Sequence, residues 1–441
     1  MNIALIERLI ADFEERPLPE TVDRDIRLPG LSGKADALIG MRRSGKTYLM
    51  FDFMRRLVGS GVPKRRLLYL NLEDERLGEP TVEHLDVAIE AFYRRHPESR
   101  TEHCYLFFDE VQLVEQWERF IRRVLDTEDA QIVVTGSSAK LLSTEVASSL
   151  RGRGMAVEVL PYGLRESARA AGVDVESWPP GSRKRSRLAA HVASYLWRGG
   201  FPEIQTSNDF DRVQILQDYV ELVVLKDVVE RHRVDNIVAL RHLVRALFAA
   251  NANDFSVRGL HGALRSQGVK VGKQTLLDYL DHVLDAYLFF TVSIRSRSEK
   301  QRLVNPRKIY AVDPGLAHAM TNAGATNAGA LLENTVYLEL RRRFGRLTAQ
   351  HVSYHRTASG HEVDFVVDPI ESTGSVELIQ SCATMGDPDT AARELRALEE
   401  TMVELRTNTA TIVALNEEDS IETTTGTIRV LPLWRWGLEP H

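Results

Sequence analysis

The apolar run Ala35–Ile39 opens directly into Gly40-Met41-Arg42-Arg43-Ser44-Gly45-Lys46-Thr47, and helix-forming residues follow over Tyr48–Leu57. This is a complete G-x-x-x-x-G-K-[ST] phosphate loop in the setting it needs, a strand before and a helix after. The glycines let backbone N–H groups turn inward around phosphates, and the helix N-terminus adds a favourable dipole. Lys46 reaches the β- and γ-phosphates, and the Thr47 hydroxyl is a Mg²⁺ ligand. Arg42, Arg43, Ser44 and Tyr48 complete the set of residues expected around the nucleotide. The segment therefore predicts an α/β core that binds a nucleoside triphosphate, expected to be ATP, with Mg²⁺.

Hydrolysis needs a second element. Cys104–Phe108 has the pattern of a buried strand and ends in Asp109-Glu110, the form of a Walker B motif. Asp109 would hold Mg²⁺ through water, and Glu110 would orient the attacking water. The plainer alternative is a core strand that ends in two surface acids. A third strand, Gln131–Thr135, leads into Gly136-Ser137-Ser138, which makes Ser137 a candidate γ-phosphate contact. Against this stands the habit of Ser and Gly to do no more than make turns. Leu67–Leu72 is a further strand between the phosphate loop and Asp109, an order that fits the ATPase class with a strand inserted between the two Walker strands.

With 441 residues the chain has room for about three domains of ordinary size. The apolar share of 43% supports ordinary cores, with no run long enough to span a membrane. The two cysteines, Cys104 and Cys382, lie in or beside strand-like segments, so a disulfide framework is not expected and a cytoplasmic location is. The net charge of −6 excludes a uniformly basic nucleic-acid binder but not a local basic surface.

Four segments follow from the patterning. Residues 1–158 read as the ATPase domain, with a helix at Leu5–Glu15 and another over Leu141–Leu150. Near its end, Arg151-Gly152-Arg153-Gly154 offers an arginine to complete a γ-phosphate site, in cis or from a neighbouring subunit. For Arg153 that role and a solvated basic turn stand level; for Arg151 the turn is the better reading. Residues 159–250 are helical, as the apolar spacing of Leu188–Trp197 and Val213–Arg231 shows, and suggest a lid over the nucleotide.

Residues 251–327 suggest a winged helix. Asp254-Phe255-Ser256 caps a helix that runs to Ser266, a second helix begins at Lys273, and strands Phe289–Ile294 and Lys308–Val312 flank a wing. The wing carries Arg295, Arg297, Lys300, Arg302 and Arg307 against one acid, Glu299. With Lys273 at the helix start, this is the footprint of phosphate-backbone contact, although winged helices also serve as protein–protein spacers.

Residues 328–441 hold Glu333 on a helix, then Glu362-Val363-Asp364-Phe365 and Val376-Glu377-Leu378-Ile379-Gln380. Glu333, Asp364 and Glu377 have the order of a PD-(D/E)XK nuclease core, whose carboxylates converge on metal. Such a core needs a lysine two residues after Glu377, and that place holds Ile379, so a nuclease fold without cleavage is expected.

In this order the pieces resemble the prokaryotic AAA-like ATPases that carry a C-terminal domain of unknown function with a PD-(D/E)XK nuclease-like fold. The likeness covers nearly the whole chain. Besides the phosphate loop it rests on Phe108-Asp109-Glu110-Val111-Gln112 with Trp117, Thr135-Gly136-Ser137-Ser138, Leu150-Arg151-Gly152-Arg153 and Gly199-Gly200-Phe201-Pro202. It continues through Asn305-Pro306-Arg307-Lys308-Ile309-Tyr310 with Asp313, Leu332-Glu333-Asn334 and Glu362–Phe365. The resemblance implies an α/β multidomain protein: a P-loop ATPase core of the additional-strand class, a helical lid, a winged helix and a nuclease-like α/β tail. It carries Lys46 and Thr47 over as phosphate and Mg²⁺ contacts, Asp109 as the Walker B acid, Glu110 as catalytic base and Arg153 as the arginine of the Gly-Arg motif.

The leading functional expectation is an ATPase that remodels or translocates on duplex or branched DNA. A nucleotide-dependent switch read by a protein partner, or by further copies in a homo-oligomer, is the alternative from another class. An ATP-gated nuclease is the third, and it needs Gln380 or a lysine from elsewhere to replace the missing charge.

Overall fold

The computed structural model describes residues 3–136, 150–296, 298–321, 327–371 and 374–439. The chain divides into two compact units, Met1–Leu160 and Pro161–His441. Ser137, Arg297 and all but the last residue of the helix expected over Leu141–Leu150 lie outside the described residues.

The first unit is built on five parallel strands: β1 Ala35–Ile39, β2 Leu67–Asn71, β3 Cys104–Asp109, β4 Ala130–Thr135 and β5 Gly154–Glu158. Their order in the sheet is β2-β3-β4-β1-β5. The strand that separates the two Walker strands in space is thus β4, with Val134 opposite Ala37 and Val133 opposite Phe107. Leu67–Asn71, which separates them along the chain, pairs with β3 at the edge of the described sheet. Parallel strands are joined by crossovers, so chain order does not set sheet order.

Helices cover such a sheet, which is why its strands are near-continuous apolar runs rather than alternating ones. Leu49, Met50 and Met54 of the helix Lys46–Gly59 pack against Leu38, Phe107 and Val133. That contact fixes the helix with its N-terminus at the end of β1.

The second unit begins with helices Leu164–Ala170, Ser182–Arg198, Asp209–Leu222 and Ile237–Ala249. The third of these continues through a π-helical stretch, Val223–Val229, to His232. A three-stranded antiparallel sheet follows, from β6 Asn253–Phe255, β7 Phe289–Val292 and β8 Arg307–Ala311, in the order β6-β8-β7. Helices Val257–Ser266 and Lys273–Asp285 lie between β6 and β7 in the chain. Ser256 caps the first, its side chain accepting the Gly259 N–H.

The last part has a helix Ala328–Phe344, strands β9 Val352–Arg356, β10 Glu362–Val367 and β11 Glu377–Cys382, a helix Pro388–Leu405, then β12 Thr409–Ala414, β13 Asp419–Glu422 and β14 Thr427–Pro432. These strands form one mixed sheet in the order β13-β14-β12-β11-β10-β9. Among the described residues no helix is long and apolar enough to cross a membrane.

Two motif segments meet inside this unit. Asp313 is fully buried, and its carboxylate accepts the Gly200 N–H at 2.6 Å and the Leu316 N–H at 2.9 Å. Gly200 itself packs so closely that a Cβ there would lie 2.0 Å from the Tyr162 carbonyl oxygen. The Gly-Gly-Phe-Pro segment and Asp313 are therefore two halves of one joint.

Candidate functional site

The loop between β1 and its following helix takes a sharply turned path. Gly40 has φ +149, Arg43 +66 and Gly45 +97. At Gly40 a side chain is excluded twice over, by that φ and by Val159 O, which a Cβ would approach to 2.2 Å. Arg24, buried, clamps the loop from outside by donating to Ser44 O at 3.3 Å and to Leu160 O at 2.7 Å. The Lys46 ammonium lies over the loop and donates to Gly40 O at 3.0 Å and Met41 O at 3.1 Å. Ser44 Oγ is buried and has no hydrogen-bond partner among the described residues, so the loop keeps a polar atom that a phosphate oxygen would satisfy. Arg43 and Tyr48 are exposed and Arg42 is half-buried.

Asp109 ends β3 and is buried. Burial pushes its carboxyl above the usual range, opposed first by the Thr135 hydroxyl; the neighbouring Glu110 charge adds to the rise, and hydrogen bonds from Thr47 and Tyr69 oppose it. The Thr135 hydroxyl, at the end of β4, donates to Asp109 and accepts the Glu110 N–H at 2.9 Å. Glu110 has φ +56, a strained setting for a non-glycine residue. Its Oε2 accepts the Gln112 side-chain amide at 2.5 Å. Thr47 and Asp109 are thus in contact and fit a divalent cation that accompanies a triphosphate. Arg153, just before β5, is half-exposed and pairs with Asp126.

In the second unit a cleft of about 610 Å³ is lined by Lys308, Glu333, Glu362, Asp364, Gln380 and Glu394, among others. Lys308, from β8, is its centre. Its Nζ lies 2.9 Å from Glu333, 2.8 Å from Glu362 and 3.0 Å from Asp364. Burial works against the ammonium charge, but Asp364, Glu333 and Glu362 together outweigh it and raise the pKa. Burial and the Asp364 charge push Glu333 upward, while Lys308 and the Tyr310 hydroxyl oppose the shift. Asp364 Oδ2 also accepts the Ser381 N–H at 2.9 Å, and the Asp364 N–H donates to Gln380 Oε1 at 3.0 Å.

Glu333 and Asp364 both meet Lys308; Glu377 does not join them. It lies opposite Val367, farther along the hairpin, and pairs with Arg343 at 2.9 Å. Alternation along β11 puts Glu377 and Ile379 on the face opposite Gln380. The strand position beside Asp364 is therefore Gln380, and two residues after it stands Cys382, not a lysine. Two arginines of the expected wing have acidic partners. Arg295 makes a bidentate pair with Asp368 at 2.6 and 2.9 Å, and Arg302 pairs with Glu299 at 2.6 Å within a short helix, Glu299–Val304. Lys273 and Lys300 remain exposed.

Sequence reasoning missed Arg24, Tyr69, Thr135 as a relay, Gln112 and Lys308. The first two carry no local signal, since they reach the loop and Asp109 from elements remote in the chain. Lys308 did carry one, because it belongs to the Asn305–Tyr310 segment on which the resemblance rests.

A family model described as an AAA domain matches residues 32–168. Two domains of unknown function, DUF8612 and DUF4143, match residues 189–327 and 328–436. The chain is 30% identical over 443 residues to the uncharacterized protein MJ1544 of Methanocaldococcus jannaschii, covering 98% of this chain and 95% of that one. An uncharacterized protein of Haemophilus influenzae is 29% identical over 321 residues, 71% of this chain and 77% of that one. Among solved structures, the Walker-type ATPase PABY2304 of Pyrococcus abyssi aligns over 65% of this chain and 91% of its own, at 18% identity and a TM-score of 0.41, a likeness too slight to carry an argument. The chain belongs to the family of MJ1544, with an AAA-type P-loop ATPase domain followed by two domains of unknown function.

Proposed function

We infer that the chain hydrolyses ATP and uses turnover to act on DNA. The observation that carries the hydrolytic part is the linked set Thr47, Asp109, Thr135 and Glu110, beside a loop shaped for phosphates. Lys46 would exchange its carbonyl contacts for the β- and γ-phosphate oxygens, and Glu110 would orient the attacking water. Thr47 and Asp109 would hold Mg²⁺, which supplies charge neutralisation at the phosphates. Arg153, once released from Asp126, would add positive charge at the γ-phosphate, in cis or from a second copy of the chain.

The DNA part rests on the second unit. A β-strand, two helices and a β-hairpin that closes back on the first strand is the order of a winged helix, and Lys273, Lys300 and Arg307 are exposed on it. The helix Ala328–Phe344, strands β9 to β11, helix Pro388–Leu405 and β12 follow the order of a PD-(D/E)XK core. With Glu377 elsewhere and Cys382 in the lysine's place, this domain would hold nucleic acid or a partner without cutting it.

A second reading, a nucleotide-dependent switch that faces a protein partner, is favoured by the internal pairing of Arg295 and Arg302. The test is steady-state ATP hydrolysis by the wild type and Glu110→Gln, with and without single-stranded, duplex and four-way-junction DNA. Strong stimulation by one form, lost in Glu110→Gln, is expected. A slow rate indifferent to every DNA, with ATP-dependent change in oligomeric state, would transfer the conclusion to the switch.

A further inference from the structure

A nuclease-like fold implies a divalent cation held by its carboxylates, and the residues here do not fit one. Lys308 Nζ lies within 3.0 Å of an oxygen from each of Glu333, Glu362 and Asp364. Its side chain is 4% exposed, so the ammonium is largely withdrawn from water and neutralised by these oxygens. The second oxygens of two of these acids are engaged as well: Asp364 Oδ2 takes the Ser381 N–H, and Glu362 Oε2 pairs with Arg356 at 2.8 Å. The Glu333 oxygen that meets Lys308 also takes the Tyr310 hydroxyl at 2.8 Å. Glu394, the next acid in the cleft, is held by the Gln380 amide at 2.7 Å and by Arg393 at 2.6 Å. Among the described residues no group of three or more His, Cys, Asp or Glu side chains is placed to hold a metal ion.

We propose that the Lys308 ammonium is the resident cation of this carboxylate cleft, standing where a divalent metal would stand. The lysine comes from β8, whereas its acids come from the helix Ala328–Phe344 and from β10. The cluster is then a charge-locked joint between the three-stranded sheet and the six-stranded sheet, and Arg295–Asp368 and Arg356–Asp254 tie the same two sheets. A catalytic lysine is a poorer reading, because such a group must leave the metal-binding oxygens free, and this one occupies them. The inference rests on the nuclease-like reading of the C-terminal sheet and names what keeps that site from binding metal.

The experiment counts Mn²⁺ bound to the full, nucleotide-free chain by calorimetry and electron paramagnetic resonance. Wild type and Asp364→Asn should take up the same number of ions, and Lys308→Met should take up one more, lost again in Lys308→Met/Asp364→Asn. One more ion on the wild type than on Asp364→Asn would overturn the proposal. So would a folded Lys308→Met with no additional ion. Should Lys308→Met not fold, the comparison of wild type with Asp364→Asn still decides. DNA cleavage by the wild type, abolished in Asp364→Asn, would sink the non-cleaving reading itself; Mn²⁺ uptake at Asp364 without cleavage would sink the lysine proposal alone.

Discussion

The side-chain amide of Gln112 donates to a carboxylate oxygen of Glu110 across 2.5 Å, two residues along the same loop. A carboxylate held this way is less free to accept from a water aligned on the γ-phosphate. Gln112→Ala should therefore raise basal kcat for ATP several-fold with little change in KM. Glu110→Gln should lower kcat by about 10²–10⁴ while nucleotide binding persists. Steady-state kinetics with a fluorescent-nucleotide titration would check both, and an unchanged or lower rate in Gln112→Ala would remove the restraint from the account.

Gly40→Ala should cost the phosphate loop its shape. The new Cβ would sit 2.2 Å from Val159 O on a backbone at φ +149. A loss of about 2–4 kcal/mol in stability is expected, in the range of severe backbone strain. ATP should no longer raise the melting temperature of the variant, as thermal unfolding with and without nucleotide would show.

Asp313 gives a pH signature. Burial raises its carboxyl to about 6, against the pull of the Gly200 and Leu316 N–H groups. A carboxyl with a folded-state pKa above its unfolded value contributes stability that is complete below the unfolded value, near 3.8, and lost as pH rises through about 6. The shift corresponds to about 3 kcal/mol. Asp313→Asn cannot titrate, so the stability of wild type minus that of the variant should fall between pH 4 and 6. A flat difference in denaturant unfolding across that range would contradict the assignment.

The basic residues of the second unit should separate into two kinds. Lys273→Glu and Arg307→Glu, at exposed positions, should weaken DNA binding and lower the salt slope by about one ion each. Arg295→Glu should instead lower the melting temperature, because it sets a like charge against Asp368. Equal loss of DNA affinity in all three would return Arg295 to the binding surface.

Local chemistry made the phosphate loop legible. Gly40, Gly45, Lys46 and Thr47 are required by the turn or the phosphate within eight consecutive positions, so adjacency in sequence is adjacency in space. The order of strands in the sheet was not legible, and β4 rather than β2 separates the Walker strands, because parallel crossovers can place a strand at any site. The Glu377 expectation failed for a related reason. A period of two makes a small error in register an exchange of faces, and Gln380 rather than Glu377 lies beside Asp364.

What the sequence determined by itself was the P-loop ATPase domain, since Gly40, Gly45, Lys46 and Thr47 sit in one short motif whose spacing a bound phosphate dictates. What only the tertiary structure decided was the company each charge keeps. Lys308 stands 25 residues before Glu333 and 56 before Asp364, yet its ammonium contacts both carboxylates. Arg295 is spent on Asp368, 73 residues away. Long-range pairings of this kind depend on the packing of separate elements, and at Lys308 burial makes them decisive because an unpaired ion inside a protein is so costly.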